Sequence, residues 1–235
     1  MTPTIRSGFV AVVGRPNVGK STFLNAVIGS KISITASKPQ TTRDRILGII
    51  DAEDSQIIFL DTPGIHESDK ALNQYMVDKA LSTIADADLV MVMADPVDTP
   101  ETLKEIIKHL AGTRKQSILV LNKCDLMRSA DVVQRLEELG TCHGFIRRLA
   151  ISSLVKTGID ELMVCLKELL PEGPRFFPDD MITDAPLRFL CRELIREKVF
   201  TLTQKEIPFP NRPIGPYIIC HTSRLSHIGS CEGCF

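Results

Sequence analysis

The 235-residue sequence predicts a three-layer α/β sandwich: a mostly parallel sheet with helices on both faces and one antiparallel hairpin at an edge. Three observations predict it. Short apolar runs alternate with amphipathic helical stretches over residues 1–170, the rhythm of parallel strands joined by crossover helices. Apolar residues make up 43% while aromatics are only 5% and Trp is absent, so the core is aliphatic, as suits strands buried on both faces. Two of the apolar runs are separated only by Asp51–Ser55, too little chain for a crossover, so they pair as a hairpin.

Phe9–Val13 reads as the first strand and Ser21–Ile28 as the first helix. Arg45–Ile50 and Gln56–Leu60 make the hairpin, and Asn73–Ile84 is a helix. Strands Leu89–Ala94, Ile118–Leu121 and Arg148–Ile151 then alternate with helices Glu101–Leu110, Asp131–Leu139 and Ile159–Leu170, so residues 5–170 form one domain. Pro171 to Pro178 holds three prolines and a glycine, which stop the last helix and open a linker over residues 171–183. A helix rich in Arg and Glu follows at Pro186–Leu202, capped by Asp184, within a segment spanning residues 184–207. From Pro208 the composition changes. Four prolines by Pro216, little charge and no sustained period make residues 208–235 a divergent, poorly ordered tail. Without a following domain, the helix would expose Leu187, Leu190, Leu194 and Val199.

Lys+Arg 28 against Asp+Glu 29 leaves a net charge of -1, which excludes a uniformly basic surface. No run approaches the roughly 18 apolar residues of a spanning helix, and the N-terminus does not read as a signal peptide, so the expectation is a cytoplasmic protein. The scattered Cys124, Cys142, Cys165 and Cys191 read as reduced core thiols. Cys220, His221, His227, Cys231 and Cys234 offer zinc-ligand chemistry, but one C-x-x-C without a flanking hairpin pattern favours free thiols in a tail.

Gly14-Arg15-Pro16-Asn17-Val18-Gly19-Lys20-Ser21, followed by Thr22, matches G-x-x-x-x-G-K-[ST] between a strand and a helix, the context of a phosphate-binding P-loop. Polyphosphate needs many convergent donors. Gly14 and Gly19 let successive N–H groups turn inward, and the helix start adds further N–H groups and a positive dipole end. Lys20 can reach the β- and γ-phosphates, and the Ser21 hydroxyl can ligate Mg2+.

Asn122-Lys123-Cys124-Asp125 follows an apolar strand, at the strand end that faces the ligand crevice. Guanine presents N1–H and an exocyclic amino group side by side, and one carboxylate, Asp125, accepts from both. Adenine lacks that pair and would leave the carboxylate unpaired, so the ligand is GTP or GDP rather than ATP. Asn122 braces the loop and bonds to the base edge, and the Lys123 stem packs over the ring. Ser152 and Ser153, after the last strand, supply backbone N–H groups to the guanine oxygen.

Asp61-Thr62-Pro63-Gly64 ends the hairpin, where Asp61 holds Mg2+ through a water and the Gly64 N–H touches the γ-phosphate. Gln40-Thr41-Thr42-Arg43-Asp44 lies in a polar loop whose Thr hydroxyls can ligate Mg2+ in the triphosphate state. Ile65 stands after Gly64. An apolar side chain cannot orient an attacking water, so intrinsic hydrolysis is slow, and Asn17 becomes a candidate ligand for a K+ ion bridging the phosphates.

With GRPNVGKSTFLN, SKPQTTRDRILGI, IIFLDTPGIH, VLNKCDL and ISSLVKTGIDEL in this order, the chain resembles the Era family, in the TrmE–Era branch of the translation-factor-related P-loop GTPases. LLPEGPRFFPDDMITD and LIREKVF…KEIPF extend the resemblance to roughly residues 5–209. It implies a Ras-like G domain, with Lys20, Thr42 and Gly64 as catalytic residues, Ser21, Thr42 and Asp61 around Mg2+, and Thr42 rather than Thr41 as the switch ligand. It further implies slow GTP hydrolysis by a monomer acting in small ribosomal subunit assembly. A KH domain would bind the 3′ end of 16S rRNA, and the protein would associate peripherally with the inner face of the bacterial membrane. Past Pro208 the family pattern is lost and no GxxG phosphate clamp follows, so residues 184–207 are expected to be a KH remnant, truncated or frameshifted, with weakened RNA binding. Two other readings are a GTP-binding module without effective RNA binding and the G domain of a tRNA-modification GTPase. The second would call for a folate-binding-like domain or a second P-loop.

Overall fold

A computed structural model of the protein describes residues 5–33, 46–62 and 81–203, with side chains as far as residue 198. Its elements run β1 (Ile5–Gly14), α1 (Lys20–Ile28), β2 (Ile46–Ala52), β3 (Ser55–Asp61), β4 (Leu89–Ala94), α2 (Pro100–Ala111), β5 (Gln116–Leu121), α3 (Ser129–Gly140), β6 (Arg147–Ala150), α4 (Ile159–Leu169), β7 (Glu172–Gly173) and α5 (Leu187–Thr203). Residues 81–86 are helical, the described end of the expected Asn73–Ile84 helix.

The strands lie in the order β2-β3-β1-β4-β5-β6, with β7 pairing antiparallel to the start of β1. β3, β1, β4, β5 and β6 are parallel, and β2 turns back on β3 from Ile46↔Asp61 to Ala52↔Ser55. This is the predicted sandwich with its antiparallel edge hairpin. Successive strand side chains point to opposite faces, so each strand feeds two cores. Ala11, Val13, Val90, Val92, Leu119 and Leu121 meet Leu103, Ile106 and Leu110 of α2 and Leu139 of α3. Val10, Val12, Met91, Met93, Ile118 and Val120 meet Phe23 and Leu24 of α1 and Leu162 and Leu166 of α4. The aliphatic packing is punctuated by an edge-to-face pair, Phe23 with Phe59, at 5.3 Å between ring centroids.

Three local differences from the sequence reading have physical causes. β1 begins at Ile5 rather than Phe9, because the polar Arg6-Ser7-Gly8 stretch pairs with β3, while β7 pairs with Ile5 and Arg6. Of the four scattered cysteines only Cys165 is buried; Cys124 and Cys142 are half-buried and Cys191 is exposed, so the core-thiol expectation holds for one. At α5 the nearby side-chain acceptor is Thr183, on the Ala185 N–H, rather than Asp184.

The proline-rich segment after α4 is a packed strap. Ser7 N–H donates to the Pro171 carbonyl, and the Ser7 hydroxyl to the Pro174 carbonyl. Arg175 pairs with Asp51 and donates to the Ala52 and Glu53 carbonyls at the hairpin turn. Gln56, fully buried, binds the strap with both ends of its amide: Oε1 accepts from the Phe176 and Phe177 N–H groups, and Nε2 donates to the Phe177 carbonyl. Ile49 N–H then donates to the Ile182 carbonyl, so backbone bonding continues along the outer edge of β2. α5 follows. Leu187, Leu194 and Ile195 are exposed, as the apolar spacing implied for the first two. Leu190 differs: with Phe189 it packs against the α1/α4 core, and Lys31 pairs with Glu197 at 2.7 Å. Val199 lies outside the described side chains.

Candidate nucleotide-binding site

β1 is the switch point of the sheet, where connections leave to opposite sides, and such a point opens a crevice at the carboxyl ends of the strands. The phosphate loop fills that position between β1 and α1. Two of its glycines are required by close approach. A Cβ on Gly14 would lie 2.5 Å from the Met93 carbonyl oxygen, and one on Gly19 would lie 2.2 Å from Asn122 Nδ2. Gly19 also has φ 103, a backbone that favours glycine. Asn17 is left-handed too, at φ 64, as Asn tolerates. α1 starts directly after Gly19, with its first N–H groups at the loop.

Lys20 is only 7% exposed, and its Nζ donates to the Gly14 and Arg15 carbonyls, both at 2.9 Å. Burial lowers its pKa to about 8; the nearby Asp61 and Asp98 carboxylates pull the other way. Asp61 Oδ2 accepts from the Ser21 hydroxyl at 3.2 Å and from the Ser33 hydroxyl at 3.0 Å. A carboxylate beside a serine hydroxyl is a hard-oxygen donor set, and it fits Mg2+ held against a nucleotide. Ser33 was not legible from the motifs. Thr62, named in the sequence as part of the site, is buried with its hydroxyl on the Val12 carbonyl at 2.7 Å, which pins β3 to β1.

The base loop is bolted to the phosphate loop. Asn122, 1% exposed, donates from Nδ2 to the Val18 carbonyl at 2.8 Å. Its Oδ1 accepts from the Ser153 N–H and hydroxyl, both at 2.9 Å. Both ends of the amide are therefore engaged in the expected brace, and the second N–H of Nδ2 is the one left for the base edge. Lys123, left-handed at φ 60, reaches over to the Asn17 carbonyl at 2.7 Å and to Asp95 at 2.8 Å. Cys124 N–H donates to the Ile151 carbonyl, fixing the loop on β6's neighbour, and burial together with Asp125 raises its thiol pKa. Asp125 is exposed at the mouth, steadied by the Ser152 hydroxyl on Oδ1.

Ser152 and Ser153 lie where the sequence placed them, but their amides are used inside the loop. Ser152 N–H donates to the Thr157 carbonyl, and Ser153 N–H to Asn122. The neighbouring amide with no hydrogen bond among the described residues is that of Leu154, whose side chain is 76% exposed. Thr42, Pro63, Gly64 and Ile65, like the terminal cysteines and histidines, lie outside the described residues.

The sequence reading also missed the loop after β4. Asp98, fully buried, pairs with Arg15 of the phosphate loop and accepts from Asp95 N–H and the Thr102 hydroxyl. A Thr99–Thr102 capping box with Pro100 opening α2 was the available signal.

These features can be set beside known proteins. A family profile described as 50S ribosome-binding GTPase matches residues 9–123. The curated GTPase Era of Geobacter sp. strain M21 is 46% identical over 205 residues, covering 87% of this chain and 69% of that protein. The chain belongs to the Era GTPase family. Two solved Era structures superpose at a TM-score of 0.82 and 40% identity, each over 86% of this chain and 70% of the other. One is Era in complex with MgGDPNP and nucleotides 1506–1542 of 16S ribosomal RNA. The other is a point variant of Aquifex aeolicus Era bound to GDP.AlF4-. Membership in the Era family makes this protein a GTP-binding, GTP-hydrolysing enzyme, on the Ras-like P-loop sandwich that its elements form.

Proposed function

We propose that this GTPase switches between GTP and GDP on the site above and acts in assembly of the small ribosomal subunit, contacting the 3′ end of 16S rRNA. The observation that carries the nucleotide half is the direct tie from Asn122 to Val18: one side chain locks the base loop to the phosphate loop, so both can engage one nucleotide. Gly14 to Thr22 wrap the phosphates with backbone N–H groups, and Lys20 supplies the ammonium. Ser21, Thr42 and Asp61 would hold Mg2+, which neutralises the phosphates and positions them for attack by water. Asp125 reads N1–H and the amino group of guanine, the Lys123 stem covers the ring, and the Leu154 amide, on the turn that Ser152 and Ser153 hold in place, meets the guanine oxygen. The Gly64 N–H and Thr42 sense the γ-phosphate. Ile65 leaves the attacking water unsupported and turnover slow, and Asn17 would help hold a K+ ion whose charge offsets that of the phosphates.

The RNA half is supported by the related Era solved with the 16S fragment. Residues 184–207 would belong to the RNA-binding portion, and the protein would be cytoplasmic and peripheral to the inner face of the bacterial membrane. Calorimetric titration with GDP and ADP tests the base reading, where equal affinities would overturn it. Filter binding to an oligonucleotide of the 16S 3′ end, with and without GDPNP, tests the RNA reading, and no binding in either state would overturn that half. Turnover in K+ against Na+ tests the cation, and equal rates would remove it.

A further inference from the structure

The phosphate loop is held from the side by a ring of charges that the motif pattern does not contain. Arg15 pairs with Asp98 Oδ1, on which the Thr102 hydroxyl also sits at 3.0 Å. Asp98 Oδ2 accepts from Asp95 N–H at 2.9 Å. Asp95 in turn accepts from Lys123 at 2.8 Å, and Lys123 donates to the Asn17 carbonyl at 2.7 Å. The ring starts on Arg15 and returns to the same loop at Asn17. Asp98 is fully buried, and Arg135 of α3 steadies its carbonyl at 3.3 Å.

We propose that Asp98 is a positioning residue for nucleotide binding: through Arg15 on one side and Asp95–Lys123 on the other, it holds the Arg15–Asn17 stretch in the geometry that grips the phosphates. The inference rests on the guanine-nucleotide reading of the site. A buried carboxylate with one cation partner is expensive to strip of that partner, so the arrangement is stiff. Stiffness is useful here, because Asn17 sits in a left-handed backbone that a free loop would leave, turning the neighbouring N–H groups away from the phosphates. Neither Asp98 nor the Arg15 guanidinium needs to touch the nucleotide for this.

The test is GDP affinity, read by fluorescence titration, for Asp98→Asn, Arg15→Gln, Arg15→Lys and the Asp98→Asn/Arg15→Gln double variant, beside urea unfolding of each without nucleotide. The expected result is a loss of about tenfold or more in affinity for Asp98→Asn and for Arg15→Gln, the size of a lost charge-assisted bond. The double variant should be no worse than the poorer single, and Arg15→Lys should recover most of the affinity. A merely structural ring would lower the urea midpoint and leave affinity intact well below it. Affinity within twofold of wild type, additive losses, or no rescue by Lys overturns the proposal. If Asp98→Asn does not fold, the Arg15→Gln and Arg15→Lys pair decides it alone. If the wild-type protein itself does not bind GDP, the guanine-nucleotide reading falls instead.

Discussion

Asn122→Ala separates a brace from a base reader. The side chain is 1% exposed and makes three hydrogen bonds, to the Val18 carbonyl and to the N–H and hydroxyl of Ser153. Truncation removes the partner of each of these groups at once. An unsatisfied buried polar group costs about 1–3 kcal/mol, so three of them cost about 3 kcal/mol even at the lower figure. The whole domain is held by only about 5–15 kcal/mol. The nucleotide-free variant should therefore unfold at a clearly lower urea midpoint, with an unchanged dependence on denaturant. A residue that only read the base would leave nucleotide-free stability almost untouched and weaken GDP alone. A loss below about 1 kcal/mol without nucleotide would refute the brace, since surface substitutions move stability by about half that. Asn122→Asp sharpens the test. It keeps the shape and the acceptor for Ser153 but sets a carboxylate oxygen against the Val18 carbonyl, and it should be at least as destabilising.

Lys20 carries a pH dependence. Its pKa in the nucleotide-free protein is lowered to about 8, and bound phosphates favour the ammonium, so binding above that pH takes up a proton. GDP affinity should fall about tenfold between pH 7 and pH 9, with proton uptake visible as buffer-dependent heats; a flat profile would refute it. The same lowered pKa means the nucleotide-free fold gains stability as pH climbs from about 8 toward 10.5, because only the unfolded chain still holds the proton. Asp125→Asn should move preference from GDP toward XDP by about tenfold or more, since an amide donates where xanthine presents a carbonyl; competition titration reads it, and unchanged preference would remove Asp125 from the base. Gln56→Ala should release the strap: hydrogen exchange at the Phe176 and Phe177 amides should rise sharply, and unchanged protection would contradict the packing.

What was legible in the sequence was local. A strand, a glycine-rich turn and a helix start are contiguous, so Gly14 to Ser21 announce both their structure and their chemistry; the same holds for Asn122 to Asp125 at the end of a buried strand. Roles that depend on what lies opposite were not legible. That Asn122 braces the loop was readable, but what it braces against was not until the Val18 carbonyl and Ser153 were seen on either side of it. Ser153 reads as an amide donor to guanine until its N–H is found already taken. Asp95 and Asp98 look like two acids in a polar turn, and only the fold sets one against Arg15 and the other against Lys123. The packing of the proline-rich linker likewise depends on what lies opposite it. Proline and glycine signal that a helix has ended, but they do not say whether the chain then hangs free or is strapped down. That was decided by Gln56, a polar residue inside an apolar strand whose buried amide demanded partners and found them in Phe176 and Phe177. A buried amide in a strand is therefore a better sign of a docked segment than the composition of the segment itself.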